Sequence, residues 1–255
     1  MSAAARRVVV VAGLGKGSGT GASTARVFAK AGYSVALIAR GADTVNSLAQ
    51  ELNSAGGDAA PFSVESYSTQ DISSVWRSIR AKYSAPNYII AAAIFNIAQG
   101  FWKPFLDLTP EEVQQSLQIN VEAAFAFSRE AILTFKENEI YEPTGKRGAL
   151  IYTGATASLR GNTTTSAFAA GKFGLRALSQ SLNKEFGKDN IHVAHAIIDG
   201  GILTERYIQY RPELAKDPDA RLSPDSIANA YLYLVNQDRS AWTWELDLRP
   251  AHEKW

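Results

Sequence analysis

Five glycines near the amino end of the chain are the residues whose spacing most clearly suggests chemistry. They occupy positions 13, 15, 17, 19 and 21 in the segment AGLGKGSGTGAS. Glycine tolerates positive φ and lets a backbone approach a ligand closely, and a helix N-terminus placed after such a loop attracts negative charge. The segment follows an apolar run and precedes a helical pattern, so it predicts a loop that cradles phosphate groups.

A basic residue occupies the position at which a dinucleotide-binding site contacts the ribose 2′-group. Arg40 ends the second apolar run, 19 residues beyond Gly21. Sites that take NAD usually place Asp or Glu about 20 residues after the glycines, to bind the 2′-hydroxyl. A guanidinium there suits a 2′-phosphate, and Lys16 adds positive charge within the loop. The pattern favours NADP(H) as the cofactor, although Arg40 could also simply end the strand in solvent.

The segment SAFAAGK, residues 166–172, places a ring and an amine together. It reads as the start of a helix, and Phe168 and Lys172 are four residues apart, so they share one face. The Phe168 ring has no hydroxyl and offers no proton at any pH. By contrast, His195 alternates with Val193 and Ile197 along an apolar run, which indicates a core histidine rather than a catalyst.

Alternating strand and helix patterns organise the chain. Apolar runs predict seven strands, at 7–13, 33–40, 60–64, 87–96, 148–154, 191–200 and 242–248. Helical periodicity covers 22–32, 44–57, 72–83, 110–137, 164–187 and 224–236. This rhythm predicts a single α/β domain over 1–255, a Rossmann-like doubly wound parallel sheet with helices on both faces. The polar segment at about 204–222 follows the sixth strand and is predicted to be a substrate lid, with an ordinary surface excursion as the alternative.

Composition excludes several function classes. The 255 residues are 46% hydrophobic and 20% charged, with a net charge of +1, which gives no reason to expect nucleic acid or an acidic membrane as partner. The absence of cysteine excludes disulfides and thiol catalysis, and three histidines make a metal site a poor expectation. Without a signal peptide or a long apolar stretch, we expect a soluble, cytoplasmic protein that acts on a small-molecule substrate.

Taken in order along nearly the whole chain, these segments resemble the short-chain dehydrogenase/reductase family. The family's TGxxxGxG loop is matched by GKGSGTG, residues 15–21, when counted back from the helix. Counted forward from the strand, it falls on Gly13, Gly17 and Gly19, which makes this loop two residues longer than usual. Further matches are FNIA at 95–98, the asparagine of QINVEAAF at 120, and DGGILT at 199–204.

The resemblance implies a site at the carboxyl edge of the sheet. The cofactor-binding residues it implies, together with Arg40 and Lys16, are Gly15, Ser18, Gly19, Gly21, Asn96, Lys172, Asp199 and Thr204. Asp199 replaces the family's proline, and beside a nicotinamide its carboxylate would favour the oxidised ring. Asn120 and Lys172 match two members of the family's catalytic tetrad. The resemblance also implies a homodimer or homotetramer assembled through the helices at 110–137 and 164–187.

Two hydroxyls of the family pattern are missing. The tyrosine position of YxxxK is Phe168, and the serine about 13 residues earlier falls on Ala155. One explanation is a substitute donor, with Thr153 and Thr156 as candidates beside Ser158 and the lid tyrosines Tyr207 and Tyr210. A second is a substrate needing less help, such as an activated double bond or an iminium, with water and Lys172 relaying the proton. A third is a non-catalytic NADP(H)-binding sensor or partner protein.

Overall fold

Seven parallel strands form one sheet, which confirms the predicted doubly wound α/β fold. In the computed structural model, which describes residues 5–210 and 212–252, the strand order is β3-β2-β1-β4-β5-β6-β7. The strands are β1 (Arg6–Ala12), β2 (Ser34–Arg40), β3 (Asp58–Val64), β4 (Tyr88–Phe95), β5 (Gly148–Thr153), β6 (Ile191–Ile198) and β7 (Glu245–Leu248). The order reverses between β1 and β4, where a doubly wound sheet opens a crevice at its carboxyl edge.

Burial of β1 on both faces explains its continuous valine run. Val8 to Val11 are fully buried. Val8 and Val10 belong to an apolar cluster on one side of the sheet, while Val9 and Val11 belong to the cluster on the other. A strand covered on both faces has no solvent side, so its sequence shows no polar alternation.

Helices cover both faces of the sheet. They are α1 (Thr20–Lys30), α2 (Ala42–Ser54), α3 (Thr69–Lys82), α4 (Pro110–Leu117), α5 (Ala123–Lys136), α6 (Ser166–Phe186), α7 (Glu205–Tyr210) and α8 (Pro224–Asn236). A π-helical turn, Gln118–Glu122, joins α4 to α5 and carries Asn120. Such turns insert one residue into a helix and are frequent at functional sites.

Several boundaries differ by a few residues from the sequence prediction, and two of the differences have a clear local cause. Helix α1 begins at Thr20 instead of residue 22, because the loop glycine Gly21 lies inside its first turn. Strand β7 begins at Glu245 instead of residue 242, because the Thr243 backbone bonds to the Gln237 side chain instead of continuing the strand. Thr243 exchanges two hydrogen bonds with the Gln237 side chain, at 3.0 and 2.8 Å. Within the described part of the chain, no helix is both long and apolar enough to cross a membrane.

Candidate functional site

The glycine loop between β1 and α1 is a tight turn that only glycine can make. Gly13, Gly15, Gly17 and Gly19 all have positive φ, between 62° and 97°. A Cβ at Gly21 would lie 2.1 Å from the carbonyl oxygen of Gly13, so no side chain fits there. The loop therefore folds back onto the helix N-terminus, with residues 15–18 exposed or half-buried at its tip. A phosphate-binding loop requires such accessible backbone.

Asn96 holds this loop against the end of β4. Its Nδ2 donates a hydrogen bond of 2.6 Å to Gly13 O, and its backbone N–H donates to Ala12 O at 2.9 Å. A groove of about 340 Å³ opens beside the loop. It is lined by Gly13, Gly15, Ala39, Arg40, Tyr67, Asn96, Ile97 and Ala98. The structure thus brings Asn96, Arg40 and the glycine loop to one groove at the carboxyl edge.

The charged and hydroxyl residues of the predicted cofactor site surround this groove and loop. Arg40 is exposed at the end of β2, with its guanidinium 5.2 Å from the centre of the Tyr67 ring. Lys16 is exposed and Ser18 half-buried within the loop. Thr204, beyond β6, places its methyl 3.2 Å from where a Cβ on Gly19 would lie. The loop after β6 therefore meets the glycine loop directly.

Lys172 lies buried on α6, facing the end of β5. Its Nζ donates a hydrogen bond of 2.9 Å to Thr153 O, and burial lowers its pKa to about 8. The Phe168 ring centre lies 5.8 Å from this Nζ. The Trp102 ring packs on Phe168 with 5.2 Å between ring centres. One wall beside the lysine is therefore aromatic and carries no acidic hydroxyl.

Asn120 packs against the same helix. Its Nδ2 donates to Gln99 O at 2.6 Å and to Ser116 O at 2.8 Å. A Cβ on Gly171 would lie 2.9 Å from the Asn120 Cβ, so glycine lets α6 approach the π-helical turn closely. Gly171 directly precedes Lys172 in α6, so this contact places Asn120 beside the turn of α6 that carries Lys172.

The two threonines predicted as substitute donors point in different directions. The Thr153 hydroxyl bonds to the Tyr231 hydroxyl at 2.8 Å, on the α8 side of the sheet, whereas Lys172 approaches from the α6 side. The Thr156 hydroxyl donates to Asp199 Oδ1 at 2.6 Å. In the structure, each of these two hydroxyls is therefore hydrogen-bonded to a partner other than Lys172.

The Asp199 carboxylate contacts charged side chains that are far from it in the sequence. Its buried carboxylate is 3.3 Å from the Arg160 guanidinium and 3.2 Å from that of Arg249. Each arginine is distant in the chain, one following β5 and the other β7. The Asp199 charge is thus balanced by two guanidiniums, which weakens any field it would impose on a nicotinamide ring.

The segment predicted as a lid begins with helix α7 and continues in two short 3₁₀ turns, Pro212–Lys216 and Pro218–Ala220. It closes with a parallel bridge between Ile202 and Leu222. Arg211, within this segment, lies outside the described residues, as do residues 1–4 and 253–255 of the predicted domain. A lid function for the segment stays a prediction.

Two histidines of β6 are buried, each with one polar partner. His192 stacks on Trp242, and its Nε2 lies 2.8 Å from Thr243 O. His195 packs against Gly154, with Nδ1 lying 3.3 Å from Glu245 Oε2. Burial lowers the pKa of each to about 4. In the described residues, no group of three or more His, Asp or Glu could hold a metal ion.

The lowered pKa values of His192 and His195 predict that the protein loses stability in mild acid. Their folded pKa lies below the ordinary value of about 6.5, so the unfolded chain takes up more protons as pH falls below 6.5. The stability is full above that pH and declines towards pH 4, by roughly 1 kcal/mol for each histidine at pH 5.5. Urea unfolding at pH 7.5 and 5.5 measures the decline. His192→Gln should reduce it, whereas an unchanged decline, or an equal reduction in the exposed-site control His252→Gln, would contradict this assignment.

Comparison with known proteins identifies the family of the chain. The short chain dehydrogenase family model matches residues 7–214. A 3-oxoacyl-[acyl-carrier-protein] reductase of Bos taurus is 27% identical over 207 residues, which are 81% of each chain. A crystal structure of a short-chain dehydrogenase from Rhodopseudomonas palustris is 30% identical, with a TM-score of 0.77 over 96% of this chain and 98% of the other.

A second solved structure has the same fold at lower identity. It is a metagenomic short-chain oxidoreductase in complex with NADP, with 21% identity and a TM-score of 0.78 over 97% of this chain and 98% of the other. With the family match covering most of its length, the chain belongs to the short chain dehydrogenase family of oxidoreductases.

Proposed function

We propose that the protein is an NADP(H)-dependent oxidoreductase with an altered family active site. The supporting observation is the Phe168 ring, 5.8 Å from the buried Lys172 amine, at the position where the family resemblance expects tyrosine. Ala155 stands at the position expected for serine. In this proposal the cofactor-binding half of the site is kept, and the half that donates a proton to a carbonyl is lost.

The residues present fit a nicotinamide dinucleotide. The accessible tip of the glycine loop, residues 15–18, suits a pyrophosphate, and Arg40 with Lys16 suits a 2′-phosphate. Lys172 would hold the nicotinamide ribose, and Asn96 would keep the loop open. When bound, NADPH supplies a hydride to the substrate. The NADP complex of the metagenomic relative supports this choice of cofactor.

The proposed chemistry follows from the missing donors. Hydride addition to a ketone leaves charge on oxygen, and losing one positioned donor costs about 3–4 kcal/mol, or about 10²–10³ in rate. An iminium becomes neutral when it accepts hydride, and an activated C=C spreads the charge over its activating group. We therefore propose an imine or activated C=C as the substrate, ahead of a simple carbonyl. The anion left by hydride addition to an activated C=C also needs a proton, which in this proposal comes from water relayed by Lys172. With a pKa near 8, Lys172 is mainly protonated at pH 7.

The substrate side of the site is aromatic. Trp102 is 64% exposed while packing on Phe168, so these rings form a wall open to solvent. Such a wall suits an apolar or aromatic small molecule. We propose that the segment at about 204–222 closes over it, with Tyr207 as its aromatic contribution.

An apolar face on α5 and α6 supports self-association. Phe125, Leu133 and Phe173 are 57%, 46% and 42% exposed. Large exposed apolar side chains in one region mark interaction surfaces. We propose that this face joins two copies of the chain in a homodimer, or further copies in a homotetramer.

A matched substrate panel tests the reaction class. A saturated ketone, its α,β-unsaturated counterpart and the corresponding cyclic imine are each incubated with enzyme and NADPH, and cofactor oxidation is followed by absorbance. The enone or imine should turn over at least about 10²-fold faster than the ketone. Ketone reduction at an equal or higher rate would refute the altered site. Tight NADPH binding without turnover of any compound would favour the non-catalytic sensor.

A further inference from the structure

Tyr67 contacts the arginine that the proposed function assigns to the 2′-phosphate. It lies between β3 and α3 and is 6% exposed, in the apolar cluster that includes Ile72 and Ile97. The Arg40 guanidinium lies 5.2 Å from the centre of its ring. Both residues line the 340 Å³ groove beside the glycine loop.

The loop that carries Tyr67 is fixed on both sides. Ser66 donates to Asp71 through its backbone N–H at 3.0 Å and through its hydroxyl at 2.5 Å. Ser68 caps α3, since its hydroxyl accepts from the Asp71 N–H at 3.1 Å. These bonds leave the backbone of Tyr67 little freedom. The ring is therefore a rigid platform, while Arg40 is an exposed side chain at a strand end.

The fixed Tyr67 ring affects how strongly Arg40 binds an anion. A long cation such as arginine loses conformational freedom when a ligand immobilises it, which weakens affinity. An aromatic ring under the guanidinium reduces that loss, because the cation–π contact already restricts it before the ligand arrives. Burial raises the pKa of Tyr67, against the opposing influence of Arg40, so its hydroxyl stays protonated at neutral pH.

We propose that Tyr67 sets the preference for a 2′-phosphate by holding the Arg40 guanidinium in place over its ring. Tyr67 is a specificity-determining residue that acts through Arg40. This inference rests on the proposed NADP(H) function and adds the residue that makes the arginine selective. It concerns the adenosine end of the cofactor, so it is testable without any redox reaction.

The test uses two ligands that differ only in the phosphate concerned. Adenosine 2′,5′-bisphosphate and 5′-AMP are titrated into the protein by calorimetry, and the ratio of their dissociation constants is compared between variants. Wild type should prefer the bisphosphate by at least about 10-fold. Tyr67→Leu should reduce that ratio by about 3- to 10-fold, while Tyr67→Phe, which keeps the ring, should stay within about twofold of wild type.

A second buried tyrosine provides the matched control. Tyr83 is 3% exposed in the same cluster, and its hydroxyl donates to Val35 O, away from Arg40. Tyr83→Leu should leave the ratio unchanged. If Tyr67→Leu does not fold, Tyr67→Met refills the space with a flexible apolar side chain and removes the ring equally well.

Each outcome decides a different claim. An unchanged ratio in the Tyr67 variants, or the same fall in Tyr83→Leu, would overturn the role of Tyr67 while leaving NADP(H) binding intact. Equal binding of the two ligands by wild type would overturn the 2′-phosphate preference itself, and this inference with it.

Discussion

Replacing Phe168 by tyrosine and Ala155 by serine is expected to raise ketone reduction by about 10²–10³-fold over wild type. The expectation follows from the position of Phe168 beside Lys172, whose ammonium would lower the pKa of a tyrosine placed there. Phe168→Tyr alone should supply most of the gain, because donors that act together are not additive. NADPH oxidation with a simple ketone measures the effect.

A tyrosine elsewhere on the same helix is the control for this variant. Phe173 is 42% exposed on α6, so Phe173→Tyr adds the same hydroxyl away from the lysine. It should leave ketone reduction at the wild-type level. If the double variant binds NADPH as wild type does and still reduces no ketone, Phe168 does not occupy the position of the missing acid.

Replacing Lys172 by methionine is expected to stabilise the protein while weakening its hold on NADPH. Burial lowers the pKa of Lys172 from 10.5 to about 8, a shift worth about 3 kcal/mol against the folded state. Removing the amine also leaves the Thr153 carbonyl without that hydrogen bond, a cost of about 1–2 kcal/mol. The net gain at pH 7 is about 1–2 kcal/mol, with NADPH affinity at least about 10-fold lower.

The pH dependence of Lys172→Met gives the sign of the effect. Because the folded pKa lies below the unfolded one, the cost of the buried ammonium is full below pH 8 and disappears as pH rises towards 10.5. The stabilisation by Lys172→Met should follow the same course in urea unfolding. Lys184→Met, at an exposed position of α6, should show neither effect. A destabilised Lys172→Met protein with unchanged NADPH affinity would make Lys172 a structural residue.

Local sequence patterns predicted the fold because each pattern depends on the burial and backbone conformation of its own segment. The valine run of β1 predicts a strand buried on both faces, and the glycines that follow predict a tight turn. The structure has both, although Gly21 belongs to α1. The π-helical turn at Asn120 was not predicted, because residues 110–137 were interpreted as one continuous helical region.

Side-chain partners that are distant in the chain were beyond sequence reasoning. Arg160 and Arg249 reach Asp199 only because three strand ends meet at one edge of the sheet. Tyr67 gave no sequence signal, because one aromatic residue in a short loop is indistinguishable from ordinary packing. The direction of the Thr153 hydroxyl likewise depends on Tyr231, on a helix close to the carboxyl end of the chain.

Calorimetric titration of the wild-type protein with NADPH and with NADH tests most directly whether the groove beside the glycine loop is a cofactor site. NADPH should bind one molecule per chain, at least about 10-fold more tightly than NADH, because Arg40 and Lys16 favour the 2′-phosphate. No heat of binding with either dinucleotide, or equal affinity for both, would contradict the proposed function.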